Sequence, residues 1–432
     1  MSENFIPVEW SRQTTIYEVN IRQYTPDGTI PAFAAHLPRL KDMGVETLWF
    51  MPLTPIAQKN RKGSLGSYYA CSDFISINSE FGTVEDFKTV VKQAHEMGFK
   101  IIIDWVANHT GWDHIWTTDH PEYYLIDPET NDFKKASGMD DIIELDYKNP
   151  DLRKAMIDAM RWWINEFDID GFRCDLAFWM ELNFWKEART ELEKTKKLFW
   201  LGELDPLDNP EYMGTFDAAY TWTWMHKAKD FYHNGLTIAD LDRVLNNYEA
   251  LGNHAMRAWF TSNHDENSWN GTEYEKYGDM ALALAVFSCT WNGIPLIYSG
   301  QELPNRKRLE FFEKDAIDWS EKNDPIATGL HDFYKTLLTL HQIHPALRAG
   351  SNSIRTIRIK TSMDDQIFSF LKKKDEREVL VILNFSRNKN HFSITDTEVK
   401  GKFKEIFSNT FIDLENENIF KTGAWGFKVY EK

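Results

Sequence analysis

Residues 84–109, VEDFKTVVKQAHEMGFKIIIDWVANH, hold the unit on which the fold reading turns. Val84–Gly98 carries apolar residues at three- and four-residue spacing, the signature of a helix covering one side of a sheet. Gly98 suits a left-handed C-cap, and Lys100–Val106 then reads as a strand. Asp104, Asn108 and His109 gather at its end.

The same alternation runs outward in both directions. Further candidate strands are Thr15–Tyr24, Thr47–Leu53, Gly171–Asp175, Leu198–Leu204, Ala218–Trp222, Arg257–Ser262 and Pro295–Ser299. Helical patterns such as FAAHLPRLKDMG, DLRKAMIDAMRWWINEF and HDFYKTLLTLHQIH lie between them. Eight strands alternating with helices predict the α/β class and a (β/α)8 TIM barrel over residues 1–348. An open doubly wound sheet is the alternative, but no GxGxxG follows the first strand. The interval from His109 to Asp168 is too long for one βα unit. It predicts a short irregular excursion after strand 3, at about residues 110–147. From residue 349 to 432, segments such as SIRTIRIKT, QIFSFLKKK and EVLVILNFS alternate apolar and polar residues, which predicts a C-terminal antiparallel β-sandwich domain.

Composition narrows the function classes. The chain has 432 residues, 42% apolar and 27% charged, the balance of a globular protein. A net charge of −17 with no basic patch excludes a nucleic-acid partner. No apolar run approaches the roughly 18 residues of a membrane span. Cys71, Cys174 and Cys289 are far apart and form no CxxC, which argues against disulfides or zinc. The opening MSENFIPVEW lacks a basic n-region and an apolar h-region, so a cytoplasmic setting is expected; an exported chain with its signal peptide removed is the competing reading.

In a barrel, functional residues sit just past the strand ends. Here those positions hold Asp104, Asn108 and His109, then Arg173 and Asp175 in GFRCD, Glu203 in LGELD, and His264 and Asp265 in FTSNHDENS. One Asp at a strand end is readily a helix cap. A convergent set of carboxylates is not, because chains seldom bury several together unless the charge is used. Two carboxylates with opposed protonation states are the working parts of a glycosidase. Asp175, two residues from Arg173 on the same side of a strand, suits the ionised nucleophile. Glu203 follows the apolar LFWLG and suits the protonated acid/base. A metal-dependent hydrolase built on Asp104, His109, His264 and Asp265 is a different reading of the same residues.

DWVANH, GFRCD, the GE of LGELD and SNHDE resemble, in order, the four signatures of the α-amylase family, glycoside hydrolase family 13. The resemblance implies a retaining glycoside hydrolase of α-1,4-glucosidic bonds in starch-derived oligosaccharides, with a neutral α-glucan as partner and no required cofactor. A glucanotransferase, or an α-1,6-acting or trehalose-related member, is the alternative. It further implies Asp175 as nucleophile, Glu203 as acid/base and Asp265 as the transition-state carboxylate. Arg173, His264, His109, Tyr69 and Asp104 are the implied substrate-binding set; Tyr69 is the platform under the sugar, and Asp104 orients Arg173. Asn108 and Glu144 stand where many relatives hold calcium, but Glu144 replaces the usual Asp, which argues against a tightly bound ion. Phe178 and Trp179 replace the common Lys-His. Trp112, Trp116, Tyr123 and Tyr124 are candidates for the cleft, and Arg306–Arg308 reads as a solvated face.

Overall fold

The computed structural model describes residues 5–253, 256–320 and 322–432. All eight expected strands form and close into one parallel barrel. They are β1 (Ile16–Val19), β2 (Thr47–Phe50), β3 (Lys100–Trp105), β6 (Gly171–Cys174), β7 (Phe199–Gly202), β8 (Ala218–Tyr220), β9 (Met256–Trp259) and β10 (Ile294–Tyr298). The intervening β4 (His109–Gly111) and β5 (Ile142–Glu144) pair antiparallel, His109 opposite Glu144, and root the excursion on β3. The barrel closes where β1 meets both neighbours, Ile16 facing Thr47 on one side and Leu296 on the other.

The local signals act as read. Thr83 and Asp86 cap Val84–Glu96 reciprocally, and Asn149 caps Pro150–Phe167 with the proline in the first turn. One helical pattern divides: FAAHLPRLKDMG forms Ile30–Ala34 and Leu37–Met43 rather than one helix. Pro38 explains the break, because it lacks an N–H and its ring clashes with the carbonyl four residues back.

Beyond the helix Pro325–Ile343 come β11 (Arg355–Arg358), β12 (Ile367–Lys374), β13 (Arg377–Asn384), β14 (Asn390–Ser393), β15 (Lys402–Glu405), β16 (Phe411–Asp413), β17 (Ile419–Thr422) and β18 (Phe427–Glu431). Six of them make an antiparallel sheet in the order β11-β12-β13-β18-β15-β16, and β14 pairs with β17 beside it. The central strands are wet on neither face. Phe368, Phe370, Val379, Val381 and Leu383 join the barrel's core, with Phe370 packed on Trp291 at 4.8 Å. Ile367, Leu371, Leu380 and Ile382 face Phe392 and Phe420 of the smaller sheet. Arg358 ties the two parts together, lying over Phe368 at 3.9 Å and pairing with Asp242 at 2.7 Å.

Candidate active site

The strand-end carboxylates converge on one guanidinium. Arg173, fully buried in β6, places Nη1 2.9 Å from both Asp104 Oδ1 and Asp175 Oδ1, and Nη2 2.9 Å from Glu203 Oε2. Asp104 Oδ2 accepts from Trp49 Nε1 at 3.3 Å and from the Tyr69 hydroxyl at 3.0 Å. Glu203 also accepts the backbone N–H of Leu176 at 2.8 Å. Leu176 itself adopts φ 39° and ψ 49°, a left-handed conformation that costs an L-residue roughly 1–2 kcal/mol.

Burial raises the carboxyls of Asp104 and Asp175 above the usual carboxylate range and lifts Glu203 to about 7, while Arg173 pulls all three down. The sequence reading expects Arg173 to lower Asp175. In the structure that one cation is shared among three buried carboxyls, so desolvation prevails. The site therefore retains a proton near neutral pH, which acid catalysis requires.

His264 supplies a second positive charge. Burial pushes its imidazole down, but Asp265 and then Glu18 outweigh it and hold the group at about 9. The imidazolium donates from Nδ1 to Glu18 and from Nε2 to the Tyr69 oxygen at 2.7 Å, and it lies 3.4 Å from Asp265. Glu18 comes from β1 and is fully buried; the sequence reading missed it, although one carboxylate inside the apolar strand IYEV is a visible signal. Glu18→Gln removes a negative neighbour and so lowers the His264 pKa, by on the order of one unit. Proton NMR of the His264 ring should show it titrating at lower pH in the variant than in the parent. Superimposable ring titrations would exclude this role.

A cavity of about 440 Å³ opens above these groups, lined by Tyr69, His109, Asp175, Glu203 and Asp265. Of the five residues expected to bind substrate, Tyr69 and His109 face it. Asp104, Arg173 and His264 lie behind its wall and position the others. Burial lowers His109 to about 4, so it is neutral, and its Nε2 has no protein partner. Tyr69 lies parallel to His264 and Phe311, at 5.5 and 6.3 Å between ring centres.

The expected cleft aromatics of the excursion are placed differently. Trp112 donates to the Asp140 carbonyl, Tyr124 bonds Thr110, Tyr123 stacks on His120 and Trp116 packs on Phe74. A long irregular segment needs anchoring, and these residues supply it by packing into the barrel's core. Phe178 is 42% exposed but stands outside the cavity wall with Trp179. The apolar wall comes instead from Trp269, in the helical turn Glu266–Asn270 after β9, and from Phe311 and Phe312, in a loop that carries no periodicity to read. In Arg306–Arg308, Lys307 and Arg308 pair with Asp315 and Glu275, and Arg306 lies over Tyr274.

Asn108 and Glu144 each meet a protein partner. The Asn108 amide nitrogen faces the Met180 sulfur at 4.0 Å, and Glu144 pairs with Lys134 at 2.7 Å. Among the described residues no group of three or more His, Cys, Asp or Glu is placed to hold a metal ion.

The family model of the α-amylase catalytic domain matches residues 13–137 and 122–329. The chain is 26% identical to α-amylase 2 of Dictyoglomus thermophilum, over 94% of this chain and 74% of that protein. It is 23% identical to a maltogenic α-amylase of Bacillus acidopullulyticus, covering 98% and 78% respectively. The crystal structure of a maltogenic α-amylase from Thermotoga neapolitana superimposes with a TM-score of 0.86 at 26% identity, over 98% of this chain and 99% of that one. With its barrel, its strand-end carboxylates and a family match over most of its length, the chain belongs to the α-amylase family of glycoside hydrolases.

Proposed function

We propose that Asp175 is the nucleophile and Glu203 the acid/base of this retaining hydrolase of α-1,4-glucosidic bonds in starch-derived oligosaccharides. Glu203 gives its proton to the glycosidic oxygen as Asp175 attacks the anomeric carbon. The C–O bond to the leaving sugar breaks, and a β-linked glycosyl ester forms on Asp175. Glu203, now ionised, takes a proton from water; the water oxygen attacks the anomeric carbon and frees Asp175, restoring the α configuration. Asp265 holds ring hydroxyls of the distorted sugar, and His109 offers Nε2 to another. Tyr69 presents its ring to the sugar's apolar face.

The observation that carries this reading is that Asp175 and Glu203 line one cavity and share a single guanidinium behind its wall, at 2.9 Å each. Because side chains supply both nucleophile and proton, no cofactor is needed. The division into a barrel, 1–348, and a β domain, 349–432, rests on where the helix Pro325–Ile343 gives way to antiparallel strands. The unpaired, buried Cys71, Cys174 and Cys289 favour a cytoplasmic setting.

Proton NMR of maltotetraose digestion tests the chemistry directly. The first-formed reducing sugar should be the α anomer, equilibrating later with β. A β anomer appearing first would overturn retention, and cleavage of isomaltose or trehalose in place of maltotetraose would overturn the linkage.

A further inference from the structure

The loop that leads from β2 to Tyr69 is held down on both sides of the barrel mouth. Toward the loop after β10, the Leu65 N–H donates to the Phe312 carbonyl at 3.1 Å, and the Ser64 N–H donates to Glu313 at 2.8 Å. Gly63, at φ 62°, approaches so closely that an added Cβ would lie 2.5 Å from Phe312 Cβ. Toward the excursion, the Gln58 and Lys59 N–H groups donate to Asp113 at 2.9 and 3.1 Å. Lys62 Nζ there meets Asp141 Oδ1 at 2.7 Å. Residues 58–66 thus form a strap joining the loop after β10 to the excursion.

Lys62 and Asp141 line the same cavity as Asp175 and Glu203. Asp141 is buried and Lys62 half-exposed, so their pairing places a desolvated carboxylate, met by an ammonium at the rim, in the wall of a ligand site. The side of the mouth it occupies follows from strand order. β7, which presents Glu203, stands diametrically across the closed barrel from β1. The strap runs past β1 and β2, on the far side from Glu203. Since Glu203 protonates the leaving oxygen, the leaving sugar lies on the β7 side. The other part of the substrate, which becomes attached to Asp175, extends toward the strap.

We propose that the strap closes the glycone end of the cleft and that Lys62 and Asp141 bind the hydroxyls of the terminal, non-reducing glucosyl unit. This inference rests on the roles given to Asp175 and Glu203 and adds the kind of substrate end the site takes. A sugar hydroxyl both donates and accepts, so an ammonium and a carboxylate side by side match adjacent hydroxyls of a neutral ring. A cavity of about 440 Å³ is at the small end of ligand pockets, which run roughly 300–1,000 Å³, and suits a short glycone rather than a chain threading through. The enzyme therefore removes short products from the non-reducing end of maltooligosaccharides.

The test compares 4-nitrophenyl α-maltoheptaoside with the same compound blocked by a 4,6-O-ethylidene group on its non-reducing sugar, with products resolved by size. The parent enzyme should cleave the free compound at least about tenfold faster, leaving nitrophenyl on the longer fragment. Lys62→Ala trims a half-exposed side chain, and Asp141→Ala removes its partner. Each should lower kcat/KM on the free compound roughly tenfold and narrow the gap between the two compounds. Equal parental rates on both compounds, or variants that leave the gap unchanged, would overturn the strap's role while leaving the hydrolase reading intact. Inactivity on both compounds would instead overturn the roles of Asp175 and Glu203, and the strap proposal with them.

Discussion

Asp175→Asn should reduce kcat on maltooligosaccharides by roughly 10⁴- to 10⁶-fold without unfolding the protein. The amide keeps the shape of the carboxylate, and its oxygen can still accept from Arg173 Nη1, 2.9 Å away in the parent. What it loses is the negative charge that forms the ester with the anomeric carbon. Stability should hold or rise, because a carboxyl whose ionised form is disfavoured by burial leaves an overcrowded site. Steady-state rates and a thermal melt of the same preparation check both halves. Activity above about one part in a hundred of the parent's would remove Asp175 from the nucleophile role.

Replacing Arg173 should damage folding and chemistry together. Its guanidinium is the shared countercharge for Asp104, Asp175 and Glu203, and its side chain has no solvent exposure. Arg173→Met leaves three buried carboxyls unpaired, a change of about 3–5 kcal/mol where one partner of a buried pair is removed. The pH dependence has a definite sign. Without the cation the three carboxyls bind protons more tightly in the folded state than in the unfolded chain. The variant's stability deficit should therefore grow as pH rises from about 5 to 8. Urea denaturation at both ends of that range measures it, and a deficit that shrinks toward high pH would contradict the account. Arg173→Lys should fold better yet stay nearly inactive, because a point ammonium cannot bridge two carboxylates as a planar fork does.

Much of this architecture is legible in the chain because its signals are local. A β-rich run is a strand wherever it lies, and Thr83 with Asp86, or Asn149 with Pro150, announces a helix start from neighbours alone. Asp104, Arg173, Asp175, Glu203, His264 and Asp265 are legible for the same reason, since a strand end is a place the sequence marks. The remainder depends on contacts between distant segments. Nothing near Glu18 tells that it will meet His264, and nothing near Lys62 foretells Asp141. Phe311 and Phe312 sit in a loop without periodicity, so their turn toward Tyr69 appears only in three dimensions. Trp112 and Tyr124 mislead for a physical reason: an aromatic in an excursion can face a ligand or anchor the excursion to the core beneath it, and here it does the latter.

The sheet that is dry on both faces also constrains how the molecule is made. Phe287 and Trp291, in the last turns before the eighth barrel strand, are covered by Phe368 and Phe370. During synthesis the barrel strands emerge first and expose that apolar patch until β12 and β13 leave the ribosome. The strand β18, which pairs with β13, follows later still. Until β18 joins the sheet, the nascent barrel thus carries an exposed apolar patch of the kind that promotes aggregation.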